Sequence, residues 1–106
     1  MGVLVIVGYR AKPGQEQALL SAIKDHVPVL RSQGLVTERP PYIMRARDGT
    51  FVEVFEWKSQ AAIDAAHTHP AVMKLWDRFS ACCEYVPIAD VAEAQELFSP
   101  FEPLAL

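Results

Sequence analysis

The sequence is poor in charged residues and contains no long apolar segment. Only 22% of its 106 residues are charged, and ten basic residues stand against thirteen acidic ones, which gives a formal net charge of −3. A nucleic-acid-binding surface needs a basic excess, so we expect no nucleic-acid partner. The longest uncharged apolar stretch, residues 2–9, is far shorter than the roughly 20 residues that cross a bilayer. No basic segment precedes this stretch, so we expect neither membrane association nor a secretory signal.

Cysteine is also scarce, and the two cysteines, Cys82 and Cys83, are adjacent. A disulfide between neighbours strains the intervening peptide, so we expect two free thiols packed as small apolar side chains at a helix end. Free thiols are typical of a reducing compartment, which predicts a cytoplasmic location. The sequence has no glycine-rich phosphate loop, nucleophile elbow or paired-cysteine metal motif, and we therefore expect no bound metal.

Apolar residues, by contrast, are abundant. They make up 51% of a chain that has room for one domain, which we place at residues 1–106. A small domain has a large surface for its volume, so part of this apolar area is expected to end in an interface.

The first 34 residues predict a strand followed by a long helix. Residues 3–7 form an aliphatic run, extended by Gly8 and Tyr9, that is typical of a strand buried on both faces. After a turn at Lys12-Pro13-Gly14, apolar residues recur on one helical face, at Leu19, Ile23, Val27 and Leu30. The helix is expected to end at Gln33-Gly34. Pro28 is expected to kink or divide it near residues 25–27, because proline removes a backbone hydrogen bond.

The middle of the chain predicts a β-hairpin. Residues 35–46 and 50–58 form its strands, and Pro40-Pro41 interrupts the first of them as an edge or a bulge. Asp48-Gly49 predicts a two-residue type I′ turn, in which both residues take a positive φ. Alternation along the second strand predicts two distinct faces, with Phe51, Glu53, Phe55 and Trp57 on one and Val52, Val54 and Glu56 on the other.

The rest of the chain predicts three helices and a strand. Residues 59–67 form a short helix capped by the serine at their start, and residues 70–82 form a helix with proline in its first turn. Residues 84–88 predict a final strand. Residues 90–98 open on a capping-box pattern, D-x-x-E, that predicts a last helix. Residues 99–104 are too rich in proline for regular structure.

This order of elements, β-α-β-β-α-β, indicates an α+β domain of the ferredoxin-like class. Such a domain has a four-stranded antiparallel sheet with its helices on one face. We place the core at residues 3–88, and a C-terminal helix and tail at residues 89–106.

The second face of this sheet is predicted to bind another copy of the chain. Val3, Val5 and Val7 alternate with Leu4 and Ile6, so both faces of the first strand are apolar. A face exposed to water would be polar instead. We therefore predict a homodimer with its two sheets face to face. The tail, with Phe98, Phe101 and Leu104, is expected to reach across and hold the partner.

Three segments of the chain carry a resemblance to a known family. They are the first strand with Lys12-Pro13-Gly14-x-Glu16, the segment Phe55-Glu56-Trp57-Lys58-Ser59, and the run from Ala62 to His67 that ends in His69-Pro70. Together they resemble the antibiotic-biosynthesis-monooxygenase-like domains of the dimeric α/β-barrel superfamily. The resemblance covers roughly residues 3–88 and implies a barrel made by two chains. Members of this superfamily include quinone-forming oxygenases without a cofactor, haem-degrading oxygenases and isomerases, so the fold alone does not select a reaction.

The haem-degrading branch fits this sequence poorly. That branch is known for an asparagine on the first strand, and the matching position lies near Ile6. The tryptophan and histidine that it carries on the second helical segment would fall near Ala66 and Trp76, where the types do not match. We therefore expect no haem and no other cofactor.

His67-Thr68-His69 is the most conspicuous polar cluster. Histidine titrates near neutral pH, so His67 and His69 are candidate general bases at the mouth of a cavity. Their spacing is poor for a metal site on a helix, which uses positions i and i+4. The alternative is that the segment ends one helix and caps the next, with His69 extended before Pro70.

Two carboxylates and four aromatic residues complete the candidate site. Glu53 and Glu56 lie on largely apolar strand faces, where a carboxylate can act as acid or base. The alternative is pairing with Arg45 or Arg47 across the hairpin. The candidates for binding an aromatic substrate, with core packing as the alternative, are Tyr9, Trp57, Trp76 and Tyr85.

Two functions of different classes follow from these residues. The first is a small-molecule-binding barrel protein that acts as a cofactor-independent monooxygenase on an aromatic or phenolic compound. An apolar pocket would exclude water, and one base would deprotonate a phenol whose anion then reacts with oxygen. The second is a non-catalytic binding or structural homodimer, in which the same residues only pack.

Overall fold

A computed structural model describes residues 2–106, and in it helices cover one face of a five-stranded antiparallel sheet. The strands are β1 (Val3–Ala11), β2 (Tyr42–Arg45), β3 (Phe51–Trp57), β4 (Cys83–Val86) and β5 (Glu102–Leu104). The helices are α1 (Glu16–Ser32), α2 (Gln60–Ala66) and α3 (Pro70–Cys82). The strand order is β4-β1-β3-β2-β5, so the α+β class is confirmed, and the sheet is compatible with a ferredoxin-like fold that has one strand added at an edge.

The central pair of strands, β1 and β3, sets the two faces of the sheet. Val5 lies opposite Phe55, Val7 opposite Glu53, and Tyr9 opposite Phe51. These side chains point toward α1 and α3, and the two core clusters lie between the helices and this face. The predicted alternation of β3 is therefore confirmed.

Helix α1 continues through Pro28, so of the two predicted effects of this proline, a kink or a division, the division is wrong. Pro28 is exposed, whereas its neighbours Val27 and Leu30 are buried in the core. The hydrogen bond that proline removes therefore lies on the solvent side, where water can replace it. Tertiary packing of the buried stripe holds the helix together.

The hairpin is shorter than predicted and has a different turn. Strand β2 begins only at Tyr42, after Pro40-Pro41, and Val36 makes a single isolated bridge to Trp57. Gly49 has a φ of 92°, but Asp48 does not take a positive φ, so a type I′ turn is wrong. The Gly49 N–H donates to the Ala46 carbonyl, and the Ala46 N–H donates to the Thr50 carbonyl. These bonds indicate a three-residue loop with glycine at the left-handed position.

The two helices after the hairpin begin as predicted. Ser59 caps α2, its hydroxyl accepting from the Ala62 N–H at 3.1 Å, and Pro70 occupies the first turn of α3. Cys82 and Cys83, at the end of α3, are free and buried, as expected. No helix within residues 2–106 is long and apolar enough to cross a membrane.

The C-terminal segment differs most from the prediction. In place of a last helix it has two short 3₁₀ turns, Ile88–Asp90 and Ala92–Gln95. The Glu93 carboxylate accepts the Arg47 N–H at 2.7 Å, so a tertiary contact uses the side chain that a capping box would need. The tail then forms β5 beside β2, which makes the sheet five-stranded rather than four-stranded.

The other face of the sheet is only partly covered. Leu4 and Ile6 on β1 are 58% and 50% exposed. Phe101 packs back onto its own chain, beside Val86 and Val91. Leu97 and Phe98, just before it, project into solvent and are 91% and 86% exposed.

Candidate functional site

A cavity of about 590 Å³ lies between the helical layer and the sheet. Strands β1, β3 and β4 form its floor, α3 covers it, and α1 and the end of α2 reach its sides. All four aromatic residues predicted to bind a substrate line it, namely Tyr9, Trp57, Trp76 and Tyr85. A cavity with aromatic walls and few polar groups is typical of a site for a small organic molecule.

The cavity is also lined by His26, a residue that the sequence analysis did not select. His26 projects from the buried face of α1, and its ring packs edge-on against Phe55 and Phe79, with centroids 5.1 and 5.0 Å away. Its Nδ1 lies 2.7 Å from Oε1 of Glu53. The ring is therefore held in place by one polar and two aromatic contacts.

Glu53 is fully buried beneath the cavity, at the centre of β3. Its Oε1 also accepts the hydroxyl of Tyr9 at 2.8 Å. The other oxygen, Oε2, is buried and has no hydrogen-bond partner among residues 2–106. Tyr9 and His26 therefore both stabilise the carboxylate through the same oxygen.

Burial raises the pKa of the Tyr9 hydroxyl, and the neighbouring charge of Glu53 raises it further. Tyr9 therefore keeps its proton and remains a donor to Glu53. Burial also raises the pKa of Tyr85, with a further contribution from Cys83. Neither phenol acts as a base at neutral pH, which leaves two imidazoles and the Asp77 carboxylate as the basic groups that line the cavity.

His67 lies at the edge of the same cavity and is exposed. Its Nδ1 lies 2.8 Å from the carbonyl oxygen of Ile63, and its ring meets Trp76 edge-on with centroids 5.2 Å apart. A carbonyl only accepts, so Nδ1 carries the proton and Nε2 is the basic nitrogen. The structure thus brings His67 to the cavity together with Trp76.

Two candidate residues lie elsewhere. His69 is the N-cap of α3, where its Nδ1 accepts the Ala71 N–H at 3.2 Å, and it does not line the cavity. Glu56 belongs to the opposite face of β3 and bonds to the Thr37 hydroxyl at 2.8 Å and to Arg39 at 3.1 Å. These hydrogen bonds hold the pKa of Glu56 below its usual range.

The arginines predicted to pair with the two glutamates pair with other residues. Arg45 bonds to Glu102 at 3.2 Å, and Arg47 bonds to Glu96 at 3.2 Å. Both bonds tie the hairpin to the C-terminal segment. No group of three or more histidine, cysteine, aspartate and glutamate residues that could hold a metal ion occurs within residues 2–106.

His26 carried a signal in the sequence that spacing could have revealed. It lies three residues after Ile23 and one before Val27, on the same helical face. Glu53 lies on the inward face of β3, and α1 packs on that face. An ionisable residue on each of two facing apolar surfaces predicts a buried pair, because neither is stable in the core alone.

The fold is shared with known structures of low sequence identity. SnoaB, a cofactor-independent oxygenase from Streptomyces nogalater, matches with a TM-score of 0.68 and 15% identity, over 80% of this chain and 86% of SnoaB. The predicted family resemblance is confirmed in the fold. Protein SO0527 from Shewanella oneidensis matches with a TM-score of 0.61 and 18% identity, over 80% of this chain and 84% of its own. Rv0793 from Mycobacterium tuberculosis matches with a TM-score of 0.63 and 17% identity, over 87% of this chain and 99% of its own. No protein-family model and no curated protein sequence matches the chain.

Proposed function

We propose that this protein binds a small aromatic molecule in the cavity and acts on it as a cofactor-independent oxygenase of phenolic compounds. The observation that carries the proposal is the contact between His26 and Glu53. It gives a largely aromatic cavity an oriented imidazole. The shared fold of SnoaB, itself a cofactor-independent oxygenase, supports the same assignment.

The contact with Glu53 selects the tautomer of His26. A carboxylate only accepts hydrogen bonds, so the imidazole donates its Nδ1–H to Oε1 and carries its lone pair on Nε2. No hydrogen bond from residues 2–106 occupies Nε2. That nitrogen is then available to take the proton of a phenol bound in the cavity, and Glu53 stabilises the imidazolium that forms.

The reaction needs no reductant other than the substrate. Nε2 takes the phenolic proton, and the phenolate passes one electron to O₂. The phenoxyl radical and superoxide then join at the para carbon, and the imidazolium returns its proton to give a hydroperoxide. Loss of the para C–H proton and of hydroxide, which combine as water, yields the quinone. One phenol and one O₂ thus give one quinone and one water.

The aromatic walls suit this chemistry. Trp57 and Phe79 line the cavity and are almost fully buried, so a flat ring placed against them is shielded from water. Aromatic pairs stabilise one another by roughly 0.5–1.5 kcal/mol beyond their buried area, which favours a stacked phenol over an aliphatic ligand of the same size.

Oxygen uptake tests the proposal. Naphthols with a free para position should give quinone and consume one O₂ per quinone. With ¹⁸O₂, one labelled atom should enter the quinone and the other should enter water. His26→Asn should lower the rate by about 10²–10⁴-fold, the range for loss of a general base. The matched control, His69→Asn, changes a histidine outside the cavity and keeps a capping side chain. Its rate of oxygen uptake should therefore equal that of the wild type.

The alternative function, a non-catalytic binding protein, makes a different prediction in the same experiment. Naphthols would bind to the cavity, and oxygen uptake would not exceed the rate without protein. Equal rates for wild type and His26→Asn, both above background, would instead remove His26 from the mechanism.

We also propose that the protein is a homodimer joined through the partly covered face of the sheet. The exposed side chain of Ile6 lines a groove of about 310 Å³ together with Met44 and Val54. The exposed side chain of Leu4 lies two residues before Ile6 on the same face of β1. The same chain presents Leu97 and Phe98 in solvent next to Ser99, which borders that groove. A projection and a groove on one chain are self-complementary, as a two-fold interface requires.

A further inference from the structure

The charge around the cavity is of one sign. Of the residues from 2 to 106 that line it, Asp77 is the only one that carries a full charge whatever the state of the histidines. Arginine and lysine are absent from this lining. A carboxylate or phosphate on a ligand would therefore meet a negative charge and no fixed positive one.

Asp77 is exposed on α3 and makes no ion pair within residues 2–106. The guanidinium of the next residue, Arg78, donates to the carboxylate of Asp25 on α1 at 3.0 Å. Lys12 approaches this end of α3, but its Nζ donates to the Ser80 carbonyl at 2.9 Å. The Asp77 carboxylate is thus free to interact with a bound molecule.

The walls near Asp77 favour the same kind of ligand. Trp76, Phe79 and Tyr85 present aromatic rings to the cavity. The faces of such rings attract cations, most strongly in tryptophan. A carboxylate beside several aromatic rings is the combination that recognises an organic ammonium ion.

We propose that the cavity selects aromatic ligands that carry a protonated amine over those that carry a carboxylate or phosphate, and that Asp77 determines this specificity. The inference rests on the proposed function only in taking the cavity as the ligand site. It specifies the charge of the preferred ligand, which the proposed oxygenation reaction does not determine.

Three naphthalene derivatives of similar shape provide the test: 1-naphthylmethylamine, 1-naphthylmethanol and 1-naphthoate. Their dissociation constants are measured by titration calorimetry with the full chain at pH 8, where an imidazole of ordinary pKa is neutral. The amine should bind tightest and the naphthoate weakest, with about a tenfold ratio between them, since one exposed charge changes affinity by about two- to fivefold in each direction.

Asp77→Asn keeps the size of the side chain and removes its charge. In this variant the ratio between amine and naphthoate should fall to about threefold or less, while the affinity for 1-naphthylmethanol should stay within about twofold. Asp64→Asn is the matched control, because it makes the same change of charge on α2 outside the cavity. It should keep the wild-type ratio.

The results separate this inference from the proposed function. Binding of all three compounds with equal affinity, or an unchanged ratio in Asp77→Asn, would overturn the role of Asp77 and leave the cavity as an aromatic site. Failure of all three to bind would overturn both. In high salt the wild-type ratio should shrink, because Asp77 is exposed and its charge is screened.

Discussion

His26 and Glu53 join the middle of α1 to the middle of β3 inside the core, with Nδ1 and Oε1 2.7 Å apart. His26 is 4% exposed and Glu53 is fully buried. Apolar contacts allow a helix to rotate or slide by small steps, whereas a buried hydrogen bond has one distance and one direction. The pair therefore fixes which side of α1 faces the cavity.

The stability of single and double variants should reveal this pairing. His26→Leu leaves the buried carboxylate with only the Tyr9 hydroxyl, and we expect it to lower the free energy of unfolding by about 3–5 kcal/mol. The double variant His26→Leu/Glu53→Leu removes the charge as well and should be at least about 2 kcal/mol more stable than His26→Leu. Urea unfolding at one fixed protein concentration measures all three proteins. A double variant that is less stable than His26→Leu would show that the two residues do not depend on each other.

The faces of the sheet could be predicted from the sequence because period-two alternation is a local property of a strand. Phe51, Glu53, Phe55 and Trp57 share one face for that reason alone. Trp57 lines the cavity for the same reason, since it shares this face of the strand. These predictions required no knowledge of distant contacts.

The errors arose where a distant contact overrides a local preference. Glu93 matches a capping box locally, yet its carboxylate bonds to the Arg47 N–H, 46 residues away. The tail forms a strand because β2 offers it a free edge, with Met44 opposite Pro103. His26 was not selected because its role depends on a contact with Glu53, which lies on another element of the fold.

Tyr9 should keep its proton throughout an alkaline titration of the folded protein, because burial and the charge of Glu53 raise its pKa. Absorbance near 295 nm reports tyrosine ionisation between pH 9 and 12. Tyr9→Phe should leave the amplitude of this titration unchanged, although it removes one of three tyrosines. The control is the same pair of proteins unfolded in urea, where the Tyr9 hydroxyl is no longer buried and its removal should lower the amplitude. A drop of one third in folded Tyr9→Phe would contradict the buried contact with Glu53.

Cys83 should be inert to thiol reagents in the folded state. Burial raises the pKa of its thiol to about 12, and Cys82 beside it contributes to the rise. The thiolate is the reactive form and both cysteines are buried, so a disulfide reagent at pH 8 should reach neither of them until urea is added. Rapid reaction of one thiol in the native protein would contradict this expectation.

The same raised pKa predicts a loss of stability in alkali. The folded protein holds the Cys83 proton more tightly than the unfolded chain, whose thiol has an ordinary pKa of about 8.5. This difference in pKa stabilises the folded state fully below about pH 8.5, and the stabilisation is lost as the pH rises from about 8.5 toward about 12. Cys83→Ala should therefore lose less stability than wild type between pH 8 and 11. If the free energy of unfolding fell equally steeply with pH in both proteins, the loss of stability would not come from Cys83.

The last prediction concerns the face of the sheet away from the helices. Wild-type protein should sediment at equilibrium with twice the 11.8 kDa mass of one chain. Ile6→Lys puts a charge into this face, and the two-fold symmetry of the dimer would bury it twice. Each unpaired buried charge costs several kcal/mol, so the dissociation constant should rise at least about a thousandfold. Ala61→Lys, the control, adds the same charge at an exposed position of α2 and should leave the dimer intact.

Leu97→Ser/Phe98→Ser should weaken the dimer without changing the fold, because both side chains project away from their own chain. A wild-type monomer at micromolar concentration would overturn the proposed interface, since it would show that this apolar face is stable in water without a second chain.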